Sequence, residues 1–216
     1  IGAKIKGAGT DEIHIEGVKE LTGGDCNIPS DRIEAGTYLA AATLTHGSIT
    51  IKKVDPKRLE NILSKLRLCG ADIETTNESV FIEMKNDINP VDIQTQPFPG
   101  FPTDMQAQFT VINALSKGSS VITENVFENR FMHVQELVRM GCNISIQGKN
   151  AFIQGVNAIT GAQVMATDLR ASISLVIAAL CAEGETLINR VYHLDRGFEN
   201  LEKKLSNCGA EIERIR

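Results

Sequence analysis

LENILSKLRLCGADIE (residues 59–74), HVQELVRMGCNISI (133–146) and NLEKKLSNCGAEIE (200–213) nearly superimpose. Each reads as an amphipathic helix closed by a glycine and followed by a strand. The glycines are Gly70, Gly141 and Gly209, about 70 residues apart. Glycine is the expected residue just past a helix C-terminus, because it adopts positive φ without a Cβ clash. Recurrence at a fixed period predicts one structural unit used three times.

Upstream, each copy carries a second landmark. Asp31, Asp104 and Asp168 precede the apolar stretches IEAGTYLAAATLTHG, MQAQFTVINALSKG and LRASISLVIAALCAEG, which end in Gly47, Gly118 and Gly184. Then come the β-branched segments SITIKKV, SSVITENV and ETLINRV. One unit therefore reads strand, Asp, apolar helix, strand, amphipathic helix, strand, strand. Helices with few charges on any face are expected to be buried all round, and amphipathic ones to cover the outside. The expected inner helices are 32–46, 105–117 and 169–183. The expected outer ones are 57–69, 131–140 and 197–208. The fold class is α/β (α+β): an inside-out α/β barrel lobe of three βαβαββ repeats around a pseudo-threefold axis.

The repeats run from about 26–89, 90–157 and 158–216. The first two close on the two-strand elements ADIETTNESVFIEM and CNISIQGKNAFIQGV, whereas the third stops after AEIERIR. Residues 5–18 carry a strand that belongs to no copy, and KELTGGDCNIP (19–29) reads as a linker. The chain also begins at Ile1 rather than Met. The expectation is a piece of a larger protein. Residues 1–25 would return from a missing N-terminal lobe, and the last strand would pair with a missing N-terminal segment.

Composition narrows the function. The chain has 216 residues, 42% of them hydrophobic and 23% charged, with a net charge of −5. That argues against a general nucleic-acid binder. No run of 18 apolar residues suggests a membrane span. Five cysteines without a C-x-x-C read as packing residues in a reducing compartment, and so in the cytoplasm. His14, His46, His133 and His193 lack metal-ligand spacing and read as surface or satisfied residues. No metal and no cofactor is expected.

The candidate chemistry lies at the helix starts. Each aspartate has a plain reading as an N-cap, accepting from the free N–H groups of the first turn. Three convergent N-termini could also cradle an anion. Basic residues join the same edge: Arg130 in FENRF, Arg196 in LDRGF and Arg170 in TDLRAS. Guanidinium groups bind carboxylate and phosphate in a planar, bidentate way. Before Asp104 stands PFPGFP (97–102), holding three of the six prolines. Such a lead-in pre-sets the backbone and holds the aspartate in place. One alternative is an isolated, inactive lobe, and the other is a non-enzymatic threefold scaffold. The scaffold gains if these residues spread around the perimeter, and an active site gains if they gather.

PTDMQAQF, ITENVFENRFMHV, AQVMATDLRAS and HLDRGFE resemble the enolpyruvyl transferases, in the branch that acts on UDP-N-acetylglucosamine in peptidoglycan synthesis. The likeness runs through essentially the whole chain. It implies transfer of the enolpyruvyl group of phosphoenolpyruvate to the 3-hydroxyl of UDP-N-acetylglucosamine. It also implies a site shared with an absent lobe that bears the reactive cysteine. None of the five cysteines here matches that residue. By the resemblance, Asp104 contacts the sugar 3-hydroxyl and takes its proton, and Asp168 is a second carboxylate assisting proton movement. Val126 contacts UDP-N-acetylglucosamine through its backbone. Arg130 and Arg170 contact the phosphoenolpyruvate carboxylate, and Arg196 contacts its phosphate.

Overall fold

The computed structural model describes residues 1–215. The chain begins with an exposed antiparallel hairpin, β1 (Lys4–Lys6) and β2 (His14–Glu16), with Lys4 opposite Glu16. Every residue up to Asp31 is exposed, so this arm contributes nothing to the core.

The first copy consists of α1 (Arg32–Leu44), β3 (Ser48–Lys52), α2 (Glu60–Leu68), β4 (Asp72–Thr75) and β5 (Ser79–Glu83). The second has β6 (Ile93–Gln94), α3 (Gln106–Ala114), β7 (Ser119–Thr123), α4 (Met132–Arg139), β8 (Asn143–Gln147) and β9 (Asn150–Gln154). The third has β10 (Gln163–Met165), α5 (Leu169–Ala179), β11 (Leu187–Asn189) and α6 (Leu201–Asn207).

Among the described residues only the second copy forms a whole βαβαββ sheet, in the order β6-β7-β9-β8, with β6 parallel to β7 and the other pairs antiparallel. The first copy gives β3-β5-β4 and lacks the opening strand. The third gives the parallel pair β10-β11 alone. The strand expected at 210–215 does not form. The reason lies in the order of the second sheet. There β8 touches only β9, so a segment in the β8 position has no ladder to join unless a β9 equivalent stands between it and the sheet.

The three repeated glycines serve one purpose. Gly70, Gly141 and Gly209 have φ of 103°, 101° and 98°. The next N–H in each case returns to the last turn: Ala71 to Leu66 O, Cys142 to Leu137 O and Ala210 to Leu205 O, at 3.1, 3.0 and 3.1 Å. This is the Schellman closure, made three times. Helix α6 starts four residues later than its sequence pattern predicts, because Asn200 adopts a left-handed φ of 51°.

Burial divides the helices in two. In α3 every residue is buried, and in α1 and α5 nearly all are. In α2, α4 and α6 only one stripe is, such as Ile62, Leu63 and Leu66. The buried threonine hydroxyls of α1 and α3 are satisfied locally. Thr37, Thr43 and Thr110 donate to carbonyls one turn back, at 2.8–3.0 Å. Gly36 lets α1 approach its neighbours, since a Cβ there would lie 3.0 Å from Met105 Sδ and 3.1 Å from Ile62 Cδ1. The thiols of Cys69 and Cys142 are buried, and burial pushes both up to about 12. They behave as small apolar residues.

One buried side chain ties the chain before β6 to α3. Asn113 donates to Val91 O and accepts from Val91 N, both at 2.9 Å, as a peptide group would. Asn113→Ala leaves both backbone groups buried and unpaired. It is expected to cost about 2–4 kcal/mol, read as a lower urea midpoint at unchanged slope. A loss below about 0.5 kcal/mol would show that the clamp is dispensable.

Candidate active site

The path from β6 to α3 builds the centre. Gln96 N donates to Phe101 O at 3.0 Å and Gly100 N to Pro97 O at 2.7 Å, closing the proline-rich segment on itself. Phe101 is buried edge-on against Phe109 of α3, with ring centroids 5.0 Å apart. A 3-10 turn, Thr103–Met105, then runs directly into α3. Asp104 therefore sits inside the first turn rather than ahead of it, and it makes no capping bond.

This separates three aspartates that look equivalent in sequence. Asp31 caps α1, accepting from Ile33 N (2.7 Å) and Glu34 N (3.2 Å). Asp168 caps α5, accepting from Arg170 N (2.8 Å) and Ala171 N (2.9 Å). Asp104 spends its carboxylate on cations. Its Oδ1 accepts from Arg130 Nη2 at 2.9 Å and lies 3.4 Å from Arg170 Nε. The three side chains are only 21–31% exposed. The N-cap reading thus holds for Asp31 and Asp168 and fails for Asp104, because the 3-10 turn shifts Asp104 past the cap position.

Arg130 and Arg170 arrive from different elements. Arg130 ends the turn after β7, where Asn129 takes a left-handed φ of 54°. Its Nη1 donates to Thr103 Oγ1 at 3.0 Å, and its guanidinium lies 4.7 Å from the Phe127 ring centre. Arg170 stands in the first turn of α5. Its two Nη groups have no partner among the described residues and remain available to an anion. Asp104, Arg130 and Arg170 gather in one place.

Arg196 is not part of this cluster. It is exposed, ends a 3-10 helix (Val191–Arg196), and its side chain makes no hydrogen bond or ion pair among the described residues. Its neighbour Gly197 packs its backbone on Leu169, the first residue of α5, where a Cβ would lie 2.9 Å from Leu169 Cδ2. Asp195 is taken up by Arg214 (2.7 and 3.1 Å), so it does not neutralise Arg196. Val126 is half-buried, and its N–H donates to Glu124 Oε1 at 2.9 Å.

Several residues here escape a reading of the sequence. Buried Thr95 and Glu124 and half-buried Thr103 form a polar web next to Asp104. Glu124 stands three residues N-terminal to Phe127 in a loop, and no spacing rule marks it. His133 is a correction. It is 1% exposed, and neither ring nitrogen has a partner among the described residues. It faces inward because it shares the apolar stripe of α4 with Val134 and Leu137. Its i, i+4 relation to Leu137 was the available signal.

Among the described residues no group of three or more metal-ligating side chains clusters. No helix among them is long and apolar enough to cross a membrane.

The fold is a mixed α+β lobe in which two guanidinium groups meet one carboxylate. The comparisons identify its family. Residues 1–205 match the family described as EPSP synthase (3-phosphoshikimate 1-carboxyvinyltransferase), and the chain belongs to this enolpyruvyl transferase family. It is 56% identical over 216 residues to the UDP-N-acetylglucosamine 1-carboxyvinyltransferases of Brucella ovis and Brucella melitensis biotype 1 (strain 16M), covering 100% of this chain and 50% of each relative. The chain thus spans about half the length of the curated relatives it matches. Among solved structures, the enolpyruvyl transferase NikO from Streptomyces tendae superposes with a TM-score of 0.85 at 26% identity. That match covers 98% of this chain and 51% of NikO. EPSP synthase from Acinetobacter baumannii superposes at 0.72 with 17% identity, over 99% of this chain and 53% of its own, and so shares the fold.

His133 gives this region a pH signature. Burial pulls its imidazole down to about 4, Asp168 pushes it partly back up, and Arg130 pulls it further down. The native ring stays neutral while the unfolded chain takes up a proton below about 6.5. Its contribution is therefore intact at neutral pH and is lost as pH falls from about 6.5 towards 4. Between pH 7 and pH 4.5 the parent should lose about 2 to 3 kcal/mol more stability than His133→Phe. Urea unfolding at both pH values checks this. Equal losses would mean that His133 is protonated in the native state.

Proposed function

We propose that this chain is one lobe of a cytoplasmic enzyme that transfers the enolpyruvyl group of phosphoenolpyruvate to the 3-hydroxyl of UDP-N-acetylglucosamine. The reaction releases phosphate and commits the sugar to peptidoglycan. The convergence of Arg130 and Arg170 on Asp104 Oδ1 carries this reading. Relatives 56% identical that bear that activity in their name support it.

The lobe is read as an inside-out barrel of three βαβαββ repeats, at about 26–89, 90–157 and 158–216, around a pseudo-threefold axis. Residues 1–25 belong with the other lobe. The open edge of β11 takes a strand from the rest of the protein, which lets residues 210–215 pair beyond it. The burial of α1, α3 and α5 and the repeated Schellman closures support this arrangement.

The chemistry follows from the charges. The carboxylate of phosphoenolpyruvate binds Arg130 and Arg170, whose donors outnumber the acceptors of Asp104. Their engagement loosens the hold on Asp104 Oδ1, and the freed oxygen accepts the proton of the 3-hydroxyl. The sugar oxygen bonds to C2 while C3 takes up a proton. The tetrahedral adduct then loses that proton and breaks its C2–O bond to phosphate, whose leaving charge Arg196 receives. Asp168 assists these proton movements from its cap position. Val126 contacts the nucleotide sugar through its backbone. The second lobe closes over the site and excludes water, which strengthens each of these contacts.

In the intact two-lobed enzyme, Asp104→Ala should lower turnover about 100- to 10,000-fold. Stability should change by less than about 2 kcal/mol, since no cap is lost. Phosphate-release kinetics and thermal unfolding separate the two effects, and near-normal turnover rejects the acid/base role.

The 216-residue chain alone should bind phosphoenolpyruvate weakly and in a salt-sensitive manner, because open solvent screens its guanidinium groups. It should release no phosphate with UDP-N-acetylglucosamine. Steady turnover by a mass-verified chain would overturn the need for a second lobe.

A further inference from the structure

We infer that Glu124 is a positioning residue for the reaction. Acting through the Thr103 hydroxyl, it keeps Arg130 oriented while Asp104 is released for proton transfer. Glu124 is 3% exposed. Its Oε1 accepts from Thr95 Oγ1 (2.7 Å), Val126 N (2.9 Å) and Phe127 N (3.1 Å), and its Oε2 from Thr103 Oγ1 (2.8 Å). Among the described residues no Lys or Arg pairs with it directly. A buried carboxylate without a salt bridge is costly, and its hydrogen bonds are what keep it there.

Those hydrogen bonds join the segment after β6 to the two segments that carry Asp104 and Arg130. Thr95 directly follows β6 and also accepts from Asn125 N at 2.9 Å. Thr103 precedes Asp104. Val126 and Phe127 lead to Arg130. The order of donors matters. An ionised carboxylate only accepts, so the Thr103 proton is committed to Glu124. The Thr103 lone pair is then left to receive Arg130 Nη1, at 3.0 Å. Arg130 is thereby held at two points, Thr103 Oγ1 through Nη1 and Asp104 Oδ1 through Nη2. When a substrate carboxylate takes over the Asp104 contact, the Thr103 contact persists. Glu124 lends its charge to Arg130 through a hydroxyl, at one remove, and so does not compete with the substrate for the guanidinium.

The kinetic arm of the test rests on the enolpyruvyl-transfer reading; a second arm does not. In the intact enzyme, Thr103→Val and Glu124→Gln are each expected to raise the KM for phosphoenolpyruvate on the order of 10-fold. The KM for UDP-N-acetylglucosamine should move less, and Thr103→Ser should recover most of the loss. Independently of any substrate, the Arg130 Nε–Hε resonance of the unliganded enzyme should be distinct in the parent and in Thr103→Ser. It should be averaged with free arginines in Thr103→Val and Glu124→Gln. If Glu124→Gln fails to fold, Thr103→Val still decides, because Thr103 is only half-buried. Melting temperatures that fall while KM and the Arg130 resonance stay unchanged would reduce Glu124 to a structural residue and overturn the inference. A parent enzyme that releases no phosphate would count against the proposed reaction alone, leaving the resonance to judge Glu124.

Discussion

A helix buried on every side has no solvent to satisfy its ends or its hydroxyl groups, and much of this molecule answers that constraint. Helices α1, α3 and α5 are so placed. Their threonines bond one turn back, Asp31 and Asp168 serve the first N–H groups of α1 and α5, and Gln108 donates to Thr37 across the helix interface at 3.0 Å. The outer helices need less: one apolar stripe and a glycine closure suffice. Packing against the three central helices therefore organises the rest of the lobe.

The same constraint makes the site. The start of a buried helix is where unpaired donors and positive partial charge meet the surface. Two of the three starts are quenched by their own aspartates. The third is entered through a tight turn, so its aspartate is displaced into the helix and left to find other partners. It finds guanidinium groups from two neighbouring segments. A carboxylate between two cations is held firmly, yet it can be released when a better anion arrives. That is the property the proposed acid/base role of Asp104 requires.

The sheets show a different dependence. A ladder is completed by whatever strand occupies the next place. Residues 210–215 have the composition of a strand, but apart from the Ala210 N–H, which closes α6, no neighbouring strand among the described residues pairs with them, and they stay irregular. Arg214 nevertheless anchors this segment to Asp195 and Glu202 near α6. Side-chain electrostatics thus place the segment where backbone pairing does not.

Much was legible from residues alone. The repeated glycine closures, the burial contrast between the two sets of helices and most strand positions follow from local rules: side-chain period, propensity and the freedom of glycine at positive φ. Asp104, Arg130 and Arg170 could be named as candidates, because charged residues at helix starts stand out against apolar stretches. Three things were decided only by the tertiary structure. Asp104 parted from Asp31 and Asp168 because a 3-10 turn carried it two residues past the N-cap, Pro102, which no composition reveals. Glu124 and His133 acquired their surroundings from segments far away in sequence. The expected strand at 210–215 failed to form because pairing is a property of two segments, not one. Local conformation is written in neighbouring residues, whereas a hydrogen bond or ion pair between distant segments exists only once packing has brought them together.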